Sequence, residues 1–109
     1  MSEFVTDVSD HSFEVEVLQS GTPVLVDFWA AWCGPCRVLA PTVDQVAAEF
    51  GERLKVVKVN VDDNTATMDR FRIRSIPTLV LFKDGVEQDR MVGLQQQETV
   101  SQMIARHVG

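Results

Sequence analysis

The segment "PVLVDFWA" at residues 23–30 constrains the fold of this chain more than any other feature. It is almost continuously apolar and rich in β-branched residues, which is typical of a β-strand buried on both faces. A strand of this kind lies in a sheet that helices cover on both sides. The rest of the chain must therefore supply neighbouring strands and two covering layers.

Strand patterns recur on both sides of this segment. A short first strand is predicted at 3–8 and a third strand at 54–61. Two more runs, 78–82 and 87–92, are separated by a turn around Asp84-Gly85, a pair that supplies the positive φ angles of a tight hairpin. We therefore expect five strands, the last two antiparallel.

Helical patterns lie between these strands. Apolar residues at helical spacing predict helices at 12–20 and 35–50, which end at Gly21 and Gly51. The segment 64–72 indicates either a short helix or a turn. A final amphipathic helix without a good cap is marked by Val100, Met103, Ile104 and Val108.

The resulting order, β-α-β-α-β-α-β-β-α, predicts an α/β fold with a central mixed five-stranded sheet flanked by four helices. The 109 residues contain no linker rich in Pro, Gly or Ser. This length suits one hydrophobic core. A single domain over residues 1–109 is therefore expected.

The two cysteines of the chain, Cys33 and Cys36, fall where the strand at 23–30 has ended and the helix at 35–50 begins. Residues three apart on a helix lie close enough to form a disulfide after small adjustments. The free N–H groups and positive dipole end of a first helical turn favour a thiolate. Cys33, the outer residue, is the predicted nucleophile, and the more shielded Cys36 is the predicted resolving thiol in thiol–disulfide exchange.

A zinc site and a structural disulfide are two other uses of a cysteine pair. Structural zinc needs four ligands, and the further histidines, His11 and His107, stand at no recognisable spacing. An inert bridge over so short a loop would remove little chain entropy. Neither a metal site nor a structural disulfide is therefore favoured.

Charge and hydropathy exclude several function classes. The net charge of −6 disfavours binding to a phosphate backbone, so no nucleic-acid partner is expected. The N-terminal segment lacks the apolar core of a secretory signal, and no apolar run has the length of a membrane span. A cysteine pair in such a chain favours a reducing compartment, and we expect the cytoplasm.

The sequence resembles the thioredoxin family over nearly its whole length. The shared motifs are "VDFWAAWCGPCR" at 26–37, Pro41, "KVNVD" at 58–62, "IPT" at 76–78, "LFKDG" at 81–85 and "VG" at 92–93. The resemblance implies the thioredoxin fold and reduction of protein disulfides by the Cys33/Cys36 pair. It also implies that Gly34 and Pro35, between the cysteines, tune the redox potential toward reduction.

The resemblance assigns roles to two charged residues in otherwise apolar strands. Asp27 is placed beneath the dithiol as the general base that deprotonates Cys36, which suits a carboxylate whose pKa burial has raised. Lys58 corresponds to the partner of that aspartate. The ordinary alternative for Asp27 is a carboxylate near a strand end that reaches solvent or caps a neighbouring element, and for Lys58 it is an exposed strand lysine.

The resemblance also implies a docking surface for substrates. Pro77 corresponds to a cis-proline that faces the cysteines, and the backbone of Ile76 beside it would pair with a bound polypeptide. Trp32, Ile76 and Gly93 would form the apolar rim of this shallow groove. Trp29 is expected to pack in the core near the site.

Partners and cofactors follow from the same resemblance. A flavoprotein thioredoxin reductase fed by NADPH is expected to re-reduce the protein, which should act as a monomer. No glycine-rich nucleotide fingerprint is present, so the only expected redox cofactor is the cysteine pair itself. The chain departs from the commoner pattern at Ala31, Arg72 and the glutamines at 95–97, which leaves its partner preference open.

Two rival functions remain open from sequence. The same fold serves oxidants or isomerases of secreted proteins, although the Gly34-Pro35 dipeptide and the missing signal favour a reductant. A non-catalytic module that changes its affinity for partners when the cysteines oxidise is the alternative from another class.

Overall fold

One mixed sheet forms the centre of the protein in the computed structural model, which describes residues 4–108. The strand order is β1-β3-β2-β4-β5, with β1, β3 and β2 parallel and β4 and β5 antiparallel to their neighbours. The strands are β1 (Val5–Asp7), β2 (Val24–Trp29), β3 (Lys55–Asn60), β4 (Thr78–Lys83) and β5 (Val86–Val92). The apolar segment that dominates the sequence is thus the central strand, and the predicted five-stranded α/β sheet is confirmed.

Helical segments cover both faces of this sheet. They are a π-helical turn (Glu14–Leu18), α1 (Gly34–Phe50), a 3-10 turn (Gly51–Arg53), α2 (Thr65–Arg70) and α3 (Gln97–Ala105). The open choice for 64–72 is settled in favour of a short helix followed by a turn. As predicted, α1 ends at Gly51 (φ 53°), and the start of α3 has no side-chain cap.

Two helical predictions need correction. The segment expected to form a helix over 12–20 is a five-residue π-helix, in which the Gln19 N–H donates to the Glu14 carbonyl at 2.9 Å. The β-branched side chains of Val15 and Val17 lower the α-helical preference of so short a segment. The last helix ends at Ala105, although Val108 still packs into the core beyond it.

The core consists of two apolar clusters, one on each face of the sheet. Side chains alternate along β2, so Val26 and Phe28 enter the first cluster and Leu25 enters the second. The first cluster includes Phe13, Phe82 and both cysteines, and the ring of Phe71 packs against it. The three rings contact one another in tilted and edge-to-face arrangements. The second joins β2 and β4 to the buried faces of α1 and α3. The same packing that stabilises the sheet therefore holds the start of α1 against the end of β2.

The turn between β4 and β5 has the predicted hairpin geometry. Asp84 and Gly85 both have positive φ angles, 53° and 77°. A side chain at position 85 would place its Cβ 2.7 Å from the Leu18 carbonyl oxygen. Glycine is required here both by the backbone angle and by the close approach of the π-helical turn.

No helix within residues 4–108 is long and apolar enough to cross a membrane.

Candidate active site

Cys33 caps the N-terminus of α1. Its Sγ accepts a hydrogen bond from the Cys36 N–H at 3.2 Å, one of the four N–H groups that a first helical turn leaves free. Pro35 lies in this first turn, where it has no helical hydrogen bond to lose. The local sequence thus forms a helix start that favours negative charge on the Cys33 sulfur.

The two cysteines form a disulfide, with their Cα atoms 5.3 Å apart. The expectation that Cys33 is the more exposed of the pair is not met, because each residue is 4% exposed. Both pack in the same apolar cluster as Phe28, with Ile76 against it, which shields them alike in this oxidised form. The residues differ instead in their position on the helix and in their hydrogen bonding.

The loop before β4 lies directly against the disulfide. The Ile76–Pro77 peptide bond is cis, and the Ile76 carbonyl oxygen lies 3.8 Å from Cys33 Sγ. The N–H of Gly93, a residue with a φ of 90°, donates to the Pro77 carbonyl at 2.8 Å. The Ile76–Pro77 loop therefore lies beside Cys33, and Gly93 is hydrogen-bonded to Pro77 in that loop.

A shallow cleft of about 340 Å³ lies between Trp32, the residue before Cys33, and the Ile76 loop. The indole is 67% exposed, and its Nε1 donates to the Asp62 carboxylate at 3.0 and 3.3 Å. A large aromatic side chain held open to solvent by a side-chain hydrogen bond suits contact with another chain. The cleft is lined by Trp32, Val61, Met68, Ile73, Arg74, Ser75 and Ile76.

Asp27 is a buried carboxyl group in the middle of the central strand. It is 1% exposed, and its Oδ1 has no hydrogen-bond partner. Burial raises the pKa of Asp27 to about 7. Two smaller effects act on the same pKa: the positive charge of Lys58 lowers it, and the negative charge of Asp44 raises it. Strand alternation places Asp27 on the Leu25 face of the sheet, which α1 covers. The ordinary interpretation of Asp27 as a solvent-reaching carboxylate is therefore wrong.

Lys58 lies beside Asp27, at the matching position of β3. Its ammonium sits 4.9 Å from the centre of the Trp29 ring, and no ion pair within 4.0 Å joins it to Asp27 in the part of the chain that the structure describes. The lysine acts on the carboxyl group through its charge, not through a direct bond. Trp29 packs against the first core cluster near the site, and its Nε1 is buried without a hydrogen-bond partner.

Two carboxylates at the site were not found from sequence. Asp62 positions Trp32, and Asp44 on α1 adds negative charge near Asp27. A polar residue just after a buried strand was the available signal for Asp62. Nothing in the local pattern distinguishes Asp44 from any exposed helical acid.

Among the described residues, no group of three or more His, Cys, Asp or Glu side chains is arranged to hold a metal ion. The chemistry that these residues offer is thiol–disulfide exchange. An α/β fold that places a Cys-x-x-Cys disulfide at a helix N-terminus, against a cis-proline loop, defines a thiol–disulfide oxidoreductase.

Comparison with known proteins identifies the family. The thioredoxin family model matches residues 4–106. Thioredoxin 1 of Synechococcus elongatus is 50% identical over 101 residues, which cover 93% of this chain and 94% of the relative. Thioredoxin of Rickettsia prowazekii is 46% identical over 104 residues, covering 95% and 99%, and thioredoxin 1 of Nostoc is 50% identical over 101 residues, covering 93% and 94%. The chain belongs to the thioredoxin family.

Proposed function

We propose that this protein donates electrons to disulfides of other proteins in the cytoplasm and is re-reduced by an NADPH-dependent thioredoxin reductase. The observation that carries the proposal is the Cys33–Cys36 disulfide at the start of α1, next to the Ile76–Pro77 loop. A dithiol that donates electrons has to be kept reduced, which a reducing compartment favours. The family match over residues 4–106 supports one functional domain, and the protein is proposed to act as a monomer.

In the first step, the Cys33 thiolate attacks one sulfur of a substrate disulfide. The substrate S–S bond breaks, its second sulfur leaves as a thiolate, and a mixed disulfide joins Cys33 to the substrate. The Cys36 N–H, 3.2 Å from Cys33 Sγ, is placed to stabilise negative charge on the attacking sulfur. Cys33 is therefore the proposed nucleophile.

In the second step, Cys36 resolves the mixed disulfide. Asp27 takes the proton from the Cys36 thiol, and the thiolate attacks Cys33 Sγ, which expels the remaining substrate sulfur as a thiolate. Two electrons have then passed to the substrate, and the Cys33–Cys36 disulfide has closed. A carboxyl group with a pKa of about 7 can both accept and release a proton at neutral pH, which supports Asp27 as this base. Lys58, whose positive charge lowers that pKa, is its proposed partner.

The substrate docks as an extended segment along the loop before β4. We assign this contact to the exposed ring of Trp32, the backbone of Ile76, and the adjoining Pro77 and Gly93. Pro77 has no N–H to compete for the incoming backbone, so pairing falls to Ile76. Docking in this orientation sets the substrate sulfur beside Cys33.

Two serine variants test the division of roles. Cys33→Ser should abolish turnover in an insulin-type turbidity assay with dithiothreitol, because the attacking thiolate is missing. Cys36→Ser should also stop turnover but accumulate as a mixed disulfide with substrate, visible on non-reducing gels. Trapping by Cys33→Ser and not by Cys36→Ser would invert the assignment, and full turnover by both variants would contradict the proposed cycle.

The direction of electron flow is tested by the redox potential of the pair. Gly34 and Pro35, between the cysteines, are proposed to set this potential on the reducing side. Equilibration with glutathione should give a redox potential of about −270 mV, typical of thioredoxins, whereas oxidants of the bacterial periplasm have potentials of about −120 mV. Re-reduction by NADPH and a thioredoxin reductase, followed as NADPH absorbance, tests the proposed partner.

A further inference from the structure

Two neighbouring arginines stand apart from the other cationic side chains of the protein. All lysines and arginines fall within residues 4–108, and in that range every one except Arg72 and Arg74 has a side-chain hydrogen bond, ion pair or ring contact. The engaged side chains are Arg37, Arg53, Lys55, Lys58, Arg70, Lys83, Arg90 and Arg106. In a chain of net charge −6, two unpaired guanidinium groups two residues apart are a local reversal of charge.

The backbone at Arg72 indicates that its side chain has a role. Arg72 has a φ of 55°, in the left-handed region that favours glycine. Asp84, with a φ of 53°, is the other non-glycine residue with positive φ among those described, and aspartate tolerates this region in tight turns. Arginine has no such advantage, and its exposed side chain contributes nothing to the core. A glycine would form this turn at lower cost but would carry no charge.

Arg74 lies in the wall of the proposed substrate cleft, and Arg72 is exposed two residues before it. Ile73, between them, is buried at 7% exposure, so the exposed residues on either side of it are directed toward solvent. Arg74 lines the cleft together with Trp32 and is two residues from Ile76, whose carbonyl contacts Cys33 Sγ. Trp32, which also lines the cleft, is hydrogen-bonded to the carboxylate of Asp62. The cleft lining therefore includes one unpaired cation, Arg74, and a second, Arg72, is exposed two residues away.

We propose that Arg72 and Arg74 form a cationic rim that selects protein disulfides whose reacting cysteine has an aspartate or glutamate close to it in sequence. The inference rests on the reductase function proposed above. An acidic protein repels acidic partners at long range, and a cationic rim at the docking site offsets that repulsion where the substrate binds. Charges at the rim of an interface act mainly on the association rate and on its dependence on salt.

The test uses three disulfide-linked peptides that differ only in the residues flanking the cysteine, which are glutamate, glutamine or lysine. The second-order rate constant for their reduction by the full-length reduced protein is measured by stopped flow at low and high NaCl. The wild type should reduce the glutamate peptide about 3- to 10-fold faster than the glutamine peptide. It should reduce the lysine peptide more slowly than the glutamine peptide. High salt should reduce both differences.

Variants assign the preference to the rim. Arg72→Gln with Arg74→Gln should remove the preference, and the corresponding double change to glutamate should reverse it. Arg53→Gln with Arg106→Gln alters the net charge equally at residues that do not line the cleft, and the preference should persist. Arg72→Gly should weaken the preference while its thermal midpoint stays equal or rises, because the backbone strain is relieved.

The outcomes separate this proposal from the proposed function. Equal reduction of all three peptides by the wild type, or an unchanged preference in the double glutamine variant, would overturn the rim but leave the reductase in place. An equal loss in the Arg53/Arg106 control would also overturn it, since net charge alone would then explain the preference. Failure of the wild type to reduce the glutamine peptide would instead contradict the reductase function.

Discussion

Two aspartates in different regions of the molecule have opposite environments. Asp27, inside β2, is 1% exposed, its Oδ1 has no partner, and burial raises its pKa to about 7. Asp10, in the loop after β1, accepts hydrogen bonds from the backbone N–H and the hydroxyl of Thr67. These bonds, with the Thr67 hydroxyl foremost, lower the pKa of Asp10. One carboxyl group is kept ready to hold a proton, and the other is held as an anion.

The difference shows that burial without a hydrogen-bond donor raises the pKa of a carboxyl group, whereas donors at a less buried position lower it. Asp10 completes the N-terminus of α2, because Thr67 is the third residue of that helix and Asn64, at the capping position, makes no side-chain cap. Asn64 instead accepts from the Asp10 N–H at 2.8 Å. Asp10 therefore joins two segments, whereas the Oδ1 atom of Asp27 has no hydrogen-bond partner.

The largest expected effect comes from Asp27→Ala. Since the native state holds a proton that the unfolded chain has released, the contribution of Asp27 to stability falls as pH rises from about 4 to about 7 and stays low above that. The free energy of unfolding of the variant, relative to that of the wild type, should therefore rise by roughly 2–3 kcal/mol from pH 5 to pH 8. Urea denaturation across this range measures the gain.

The same variant should lose catalysis in one step only. Resolution by Cys36 should slow by about 100-fold or more at neutral pH, while the first attack by Cys33 should change little. Single-turnover mixing with a disulfide substrate separates the two rates, and Asp27→Asn, of nearly equal volume, serves as the control for the cavity left by alanine. An unchanged resolving rate together with a flat pH profile of stability would return Asp27 to a purely structural role.

Asp10→Ala should give a smaller effect with the opposite dependence on pH. Loss of the Thr67 bonds should destabilise the protein at pH 7 by about 1–2 kcal/mol, the usual cost of losing a helix cap. Because the folded pKa of Asp10 is lowered, its contribution is present above about pH 4 and is lost as pH falls below it. Urea denaturation at pH 7 and pH 3 should show the difference from wild type narrowing at the lower pH.

Catalysis distinguishes the two aspartates further. Asp10→Ala should leave the resolving rate at its wild-type value, because Asp10 lies outside the reaction centre. A resolving rate as slow as that of Asp27→Ala would remove the distinction between the two regions.

The smallest effects are expected from removal of the two neighbouring charges that shift the pKa of Asp27. Lys58→Met removes a positive charge and should raise the pKa of Asp27, whereas Asp44→Asn removes a negative charge and should lower it. NMR titration of the Asp27 carboxyl carbon measures both shifts directly. Shifts of the same sign in the two variants would show that packing changes, and not charge, control this pKa.

Much of the fold could be predicted because its signals are local. The buried strand at 23–30, the Asp84-Gly85 turn and the helix that begins at the cysteines each depend on a few consecutive residues. The helix at 12–20 was less predictable, since alternating valines and glutamates do not distinguish a π-helical turn from an α-helix. The cysteines and Asp27 were likewise identifiable within single segments.

Contacts between distant segments could not be predicted in the same way. The bond between Asp10 and Thr67 spans 57 positions, and that between Trp32 and Asp62 spans 30. The sequence around either residue of such a pair does not indicate its partner. The contact depends on how the strands between the two residues pair in the sheet. The equal burial of the two cysteines has the same origin, since it depends on how the Ile76 loop packs against α1.

The two edge strands determine where another chain can join this sheet. β1 has only three residues, and β5 carries Glu87, Gln88, Asp89 and Arg90 in succession, so neither edge offers a long apolar ladder of unpaired backbone groups. Short and charged edges of this kind resist edge-to-edge aggregation. Addition of a chain at either edge would compete with the proposed docking of an extended substrate segment. With both edges protected in this way, the loop beside Cys33 is left as the proposed place for such a segment to bind and be reduced.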